Sequence, residues 1–174
     1  MNLEIAVEHA GKRHWKLYGL DLNGAYSGLE GIGGLHALVD ETSGELTPVV
    51  QDVHGHVVAH VTTEGTAATN DDALRWHAIQ FSGYGALAGY ALKSVNKAAH
   101  PEAYGWKGRR ADPSGLICMG ARYYDPQTGR FLSTDPLGTS VSPDLYNYPG
   151  NGDPINYADP TGLKGASNSA TNVD

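Results

Sequence analysis

An aspartate followed three or four positions later by a glycine recurs seven times along this chain, at Asp21/Gly24, Asp40/Gly44, Asp52/Gly55, Asp112/Gly115, Asp125/Gly129, Asp135/Gly138 and Asp159/Gly162. The spacing is turn chemistry: an aspartate carboxylate accepts from backbone N–H groups about two residues on, and glycine takes the positive φ that tight turns require. Between the turns the residues suit strands of about five residues, with β-branched and aromatic side chains near alternation. Examples are 38–40, 47–51, 56–61, 74–81 and 116–119. With 23 glycines and nine prolines, few windows are left for an amphipathic helix of ordinary length. The chain is therefore expected to be mainly β: successive β-hairpins forming part of a curved sheet or open shell.

One short helix is expected near 143–148. Ser142 is placed to cap it, Pro143 to occupy its first position and Asp144 to meet the positive helix start, with Leu145 to Tyr148 making the turn. Residues 28–34 and 82–89 read as glycine-rich connections, and 91–99 as a poorly ordered or weakly helical insertion. Hairpins bury one face and leave edges that must find another strand.

A chain of 174 residues is about one domain, far shorter than a closed shell, and reads as a fragment or terminal piece. Twelve basic against 19 acidic residues give a net charge of −7, so a nucleic-acid or anionic-membrane footprint is not expected. The cluster Lys107, Arg109 and Arg110 reads as a solvated hairpin. The N-terminal residues, broken by Glu4 and Glu8, have neither signal-peptide nor membrane-span character. Cys118 is the single cysteine and, in an apolar strand, reads as a buried structural thiol. Nothing in the chain names a compartment; export as part of a larger protein would need a dedicated secretion system.

The densest signature lies at 106–163. It contains Gly120-Ala-Arg-Tyr-Tyr-Asp125-Pro, Gly129-Arg-Phe-Leu-Ser-Thr-Asp135-Pro-Leu-Gly138, Asp144-Leu-Tyr-Asn-Tyr148, and the closing run Pro154-Ile-Asn-Tyr-Ala-Asp159-Pro160-Thr-Gly162-Leu163. This run resembles the RHS repeat-associated core domain, the C-terminal end of the RHS/YD-repeat shells of bacterial polymorphic toxins and insecticidal toxin complexes, related to teneurin shells. The likeness is close over 106–163 and looser at 15–24 and 52–61. It implies self-cleavage just after the leucine, at the Leu163–Lys164 bond, which in larger relatives frees a variable C-terminal toxin inside a β-stranded cocoon.

By the same resemblance Asp135 and Asp159, 24 residues apart and each followed by proline, are the pair that cuts. The chemistry asks for two close carboxyls sharing a proton: one, ionised, deprotonates water while the other donates to the scissile carbonyl oxygen. Gly162 lets the backbone bend into such a site, and Pro154 and Pro160 complete the motif. Some relatives carry an arginine just before the first aspartate, where this chain has Thr134; Arg130 is then the nearby guanidinium available to polarise the carbonyl, and it reads equally as a strand-surface residue. Without the resemblance both aspartates read as turn initiators. Asp112-Pro-Ser-Gly-Leu116 repeats the letters with Lys107 in the leading proline's place, and is assigned to turn formation.

Other constellations carry less. His54, His56 and His60 would share a face of an unbroken strand and offer a metal set, but Gly55 belongs to a turn, so no metal is expected. Tyr123, Tyr124, Tyr146, Tyr148 and Tyr157, with Trp106 and Phe131, read as cross-strand packing rather than a sugar platform. Residues 31–34 lack the lysine and helix of a phosphate loop, so no cofactor is expected.

Three regions follow: 1–105, YD-repeat-like hairpins; 106–163, the core region; and 164–174, a polar tail with too little apolar content to fold as a toxin. The leading reading is a C-terminal shell or core piece of an RHS-type toxin-like protein, at most autoproteolytic. Its expected partners are the remainder of such a shell or a toxin encoded elsewhere, with no nucleic acid and no membrane insertion. A non-catalytic hairpin scaffold for surface binding or adhesion is the alternative, and the covalent state after Leu163 separates the two.

Overall fold

The turns dictated by the repeated pairs are formed. In a computed structural model, which describes residues 5–9, 11–20, 24, 34–64, 73–85, 104–140, 142–163 and 166–167, all seven glycines of the pairs have positive φ, between 69° and 86°. At the six pairs whose aspartate is described, the glycine N–H donates to the aspartate carbonyl at 2.9 to 3.4 Å. In each of these six the aspartate's Oδ1 also accepts one or more N–H groups two to four residues on.

Strands β1 (Ala6–His9), β2 (Lys12–Tyr18), β3 (Leu35–Asp40), β4 (Leu46–Gln51), β5 (Val57–Glu64) and β6 (Ala73–Ala78) pair in sequence order into one six-stranded antiparallel sheet. The register shifts between Leu17 and Tyr18 and again between Val50 and Gln51, which bends and twists the strands locally. One face carries Lys16 opposite Leu38, and Val49 opposite His60. Leu35, Leu38 and Tyr104 form a buried cluster, and the Lys16 ammonium lies 4.2 Å from the Tyr104 ring centre. On the opposite face Trp15, Leu17, Leu46, Leu74 and Trp76 stay exposed.

Beyond a 3-10 turn at Trp106–Gly108, β7 (Ile117–Cys118), β8 (Tyr123–Asp125) and β9 (Arg130–Phe131) make a second antiparallel sheet, and β10 (Tyr157–Ala158) pairs with β11 (Ala166–Ser167). Their core is aromatic. Trp106 stacks on Tyr124 with centroids 5.1 Å apart, and Tyr148 meets Tyr124 edge-on at 5.3 Å. Ile117, Met119 and Phe131 close around them, with Tyr157 partly buried against the cluster; of the tyrosines singled out in the sequence, Tyr124 and Tyr148 pack internally while Tyr123 and Tyr146 stay exposed. The molecule is mainly β, and among the described residues no sheet closes into a barrel.

Three local expectations are corrected. The short helical element, α1 (Pro149–Gly152), lies just beyond 143–148, and its Gly150 and Asn151 are left-handed. Residues 145–147 are drawn alongside β9 instead: Phe131 N–H donates to Tyr146 O, Arg130 bridges to Asn147, and the Asp144 carboxylate is taken by Arg130 and the Tyr146 N–H. Lys107, read as solvated, is buried. Cys118 is only half-buried, because strand alternation turns Ile117 and Met119 inward and Cys118 away. The insertion read at 91–99 lies outside the described residues.

Candidate functional site: a buried arginine between two aspartate turns

Arg122 occupies the turn entering β8. Two residues ahead of the fully buried Tyr124, it shares that residue's inward direction by strand alternation and is only 3 % exposed. Its guanidinium lies over the Phe131 ring, Cζ 3.6 Å from the ring centre. Nη2 sits 2.9 Å from Asp135 Oδ2 and 3.1 Å from Asp159 Oδ2. Nη1 donates to the Leu145 carbonyl at 3.2 Å, and Nε donates to the Gly162 carbonyl.

Each aspartate reaches this point by the turn that the surface hairpins use. Asp135 Oδ1 accepts the Leu137 N–H at 2.9 Å, and its own N–H donates to Leu145 O. Asp159 Oδ1 accepts the Leu163 N–H at 3.0 Å, while the Asp159 N–H donates to the Tyr148 hydroxyl at 3.2 Å. One carboxylate oxygen serves the turn and leaves the other for Arg122. Asp159 is 0 % exposed and Asp135 9 %, so both are withdrawn from water. The Tyr148 hydroxyl is held neutral, its pKa raised first by burial and then by the Asp159 charge.

The closing turn is seated on backbone. Thr161 O accepts the Ala121 N–H at 2.9 Å. Gly162 has φ +69°, and a Cβ there would lie 2.4 Å from Met119 O and 3.0 Å from Arg122 N, so only glycine fits. Pro154 and Pro160 are buried supports of the same segment. The peptide joining Gly162 to Leu163 is thus gripped at both ends, its carbonyl by Arg122 and its N–H by Asp159, one residue before the bond named by the sequence. Lys164 lies outside the described residues. An open cavity of about 260 Å³ is lined by Asp112, Leu116, Tyr123, Leu132 and Arg122 among others.

Arg130 is elsewhere. It follows Gly129 on the outward side of β9, beside inward Phe131, and its Nη2 donates to both carboxylate oxygens of exposed Asp144, at 2.7 and 2.8 Å. The cation joined to both aspartates is Arg122, which the sequence reading did not select; its place two residues before a buried tyrosine was the available signal. The three histidines also separate: His54 is in the Asp52–Gly55 turn, His56 accepts the Lys107 N–H, and His60 stacks on His77. Among the described residues no group of three metal ligands converges.

No protein-family model matches the chain. It is 41 % identical over 80 residues to toxin subunit YenC1 of Yersinia entomophaga, covering 46 % of this chain and 8 % of that protein. It is 30 % identical over 121 residues to YenC2 of the same organism, covering 70 % of this chain and 12 % of that one. The crystal structure of TcdB2-TccC3-Cdc42 is similar at a TM-score of 0.41 and 20 % identity, over 91 % of this chain and 8 % of that one. The chain therefore spans about a tenth of the length of the curated relatives it matches. Its architecture is mainly β and Asp/Gly-turned, and its sequence relatives are named as toxin subunits. It belongs to the RHS repeat-associated core proteins.

Proposed function

We propose that this segment closes the C-terminal end of an RHS-type shell and cuts its own chain after Leu163 by aspartyl chemistry, Asp135 and Asp159 being the pair and Arg122 the cation that joins them. The carrying observation is that one guanidinium nitrogen bonds both carboxylates while the same side chain holds the Gly162 carbonyl, one residue from the bond to be cut. Substrate and catalyst are one chain, so their encounter costs no translational entropy.

The two aspartates and Arg122 carry one surplus negative charge when all three are ionised, and the proposed chemistry needs one shared proton between the carboxyls. In the cut, the ionised aspartate accepts a proton from a water as its oxygen bonds to the Leu163 carbonyl carbon. The protonated partner donates to the carbonyl oxygen. Collapse of the tetrahedral intermediate breaks the C–N bond, and the departing Lys164 amine takes a proton, leaving a Leu163 carboxylate.

The division into hairpin, core and tail regions belongs to the same proposal, with the remainder of a shell, or a toxin made elsewhere, as partner. The intact mass of freshly purified protein tests the cut. Loss of residues 164–174 in the wild type, and full-length mass in Asp135→Asn and Asp159→Asn, is expected; a full-length wild type would leave a hairpin scaffold.

A further inference from the structure

Lys107 is a buried cation that the proposed chemistry does not use. It is 2 % exposed and left-handed, with φ 51° and ψ 26°, a conformation that non-glycine residues rarely adopt. That backbone turns its two donors toward different parts of the molecule. The Lys107 N–H donates to His56 Nδ1 at 2.9 Å, in the hairpin joining β4 to β5. The ammonium donates to the Tyr157 carbonyl at 3.2 Å, two residues before Asp159, and lies 5.3 Å from the Trp106 ring centre. Beside it, Val57 N–H donates to Gly105 O at 2.7 Å, so the contact is a strap of main chain and side chain together.

We propose that Lys107 is a positioning residue, tying the β4–β5 hairpin through His56 to the β10 backbone that carries Asp159, so that the aspartate pair is in register only when that hairpin is docked. The proposal rests on the self-cleavage reading for its consequence, though its geometry stands apart from it. It makes a folded upstream sheet a condition for the cut: a chain whose hairpins are unpaired lacks the strap and keeps its C-terminal bond. Strain at a lysine, where glycine would be unstrained, is accounted for by a side chain that must reach Tyr157.

The His56 end of the strap needs a neutral ring, since Nδ1 must present its lone pair. Burial pushes His56 down to about 4, helped by the Lys107 and His54 charges and opposed by Asp52. The aromatic neighbours, Phe81 and Trp106, carry no charge. Asp52 and Asp153 are the acids that face Lys107.

The test uses the full chain and compares wild type with Lys107→Met, His56→Ala and His56→Asn, the last offering a non-titrating acceptor near the Nδ1 position. Cutting by mass is expected to slow about tenfold in Lys107→Met and His56→Ala, the effect of one buried hydrogen bond. His56→Asn is expected to recover most of the rate relative to His56→Ala and to lose the falling acid limb near pH 4. In an Asp135→Asn background, hydrogen exchange at the Asp159 and Leu163 amides is expected to quicken about tenfold in Lys107→Met, with β2 and β3 amides unchanged. Wild-type rates of cutting, or unchanged exchange at those two amides, in folded Lys107→Met would overturn the proposal. If the wild type is never cut, the cleavage reading falls and the exchange measurement alone decides for or against the strap.

Discussion

The six-stranded sheet and the region after residue 104 use one turn for different ends. In the sheet, Asp40 accepts the Thr42 and Ser43 N–H groups at 2.8 Å in a turn open to water, and those bonds hold its pKa below the ordinary carboxylate value. Near the C-terminus Asp135 and Asp159 make the same loop of hydrogen bonds, yet both are buried and spend their second oxygen on Arg122. The hairpin turn already holds a carboxylate rigid; burial against one cation gathers two of them into the arrangement proposed for the cut. A site of this kind needs no new backbone element, only a change in what covers an existing one.

Arg122→Met should separate the two uses most sharply. Removing the cation leaves two buried carboxylates facing each other, and about 3–5 kcal/mol of stability should be lost at neutral pH. Urea titrations of the variant beside wild type would show or refute that loss. Gly162→Ala should come next, at about 3 kcal/mol or more, because the new methyl meets Met119 O as well as an unfavourable φ. Gly44→Ala, with nothing within 4 Å of its Cβ, should cost only the backbone term of about 1–2 kcal/mol. Equal losses in the two alanine variants would mean that the closing turn is not seated as described.

Smaller effects complete the contrast. Asp40→Asn should cost about 1 kcal/mol in thermal unfolding and leave the mass after Leu163 as in wild type, whereas Asp159→Asn should keep the chain whole. His56 should add a mild pH dependence. Burial holds its folded pKa at about 4, below the ordinary imidazole value of 6.5, so the unfolded chain takes the proton first and stability falls as pH drops from about 6.5 toward 4. The His56→Asn variant should flatten that slope in melts across the range, and an unaltered slope would assign the titration to another group.

The turns were legible because Asp and Gly at fixed spacing leave the backbone little choice, and strands 35–40, 46–51, 57–64 and 73–78 followed from what lay between them. Strands β1 and β2 escaped notice: Arg13, Trp15 and Leu17 sit on an exposed face, so polar and apolar residues do not sort by burial there. The aspartate pair could be singled out by resemblance, but its arginine was sought beside Asp135 in sequence and comes from the strand entry at 122. Alternation around Tyr124 and Phe131 separates inward Arg122 from outward Arg130, and that test depends on knowing which tyrosines are buried. Lys107 resisted for a similar reason, since a lysine among glycine and arginines looks solvated until Tyr157 O is placed in its reach.

The reach from Arg122 to Gly162 spans 40 residues, while each strand of the first sheet pairs with its immediate neighbour in the chain. This difference sets an order in time. As the protein leaves the ribosome at about 5–20 residues per second, the hairpins can zip as they emerge, and Arg122 must wait several seconds for the turn that completes its surroundings. Scission of the kind proposed would then wait on synthesis by construction: the group that threatens the bond stays idle until the turn it grips has been made.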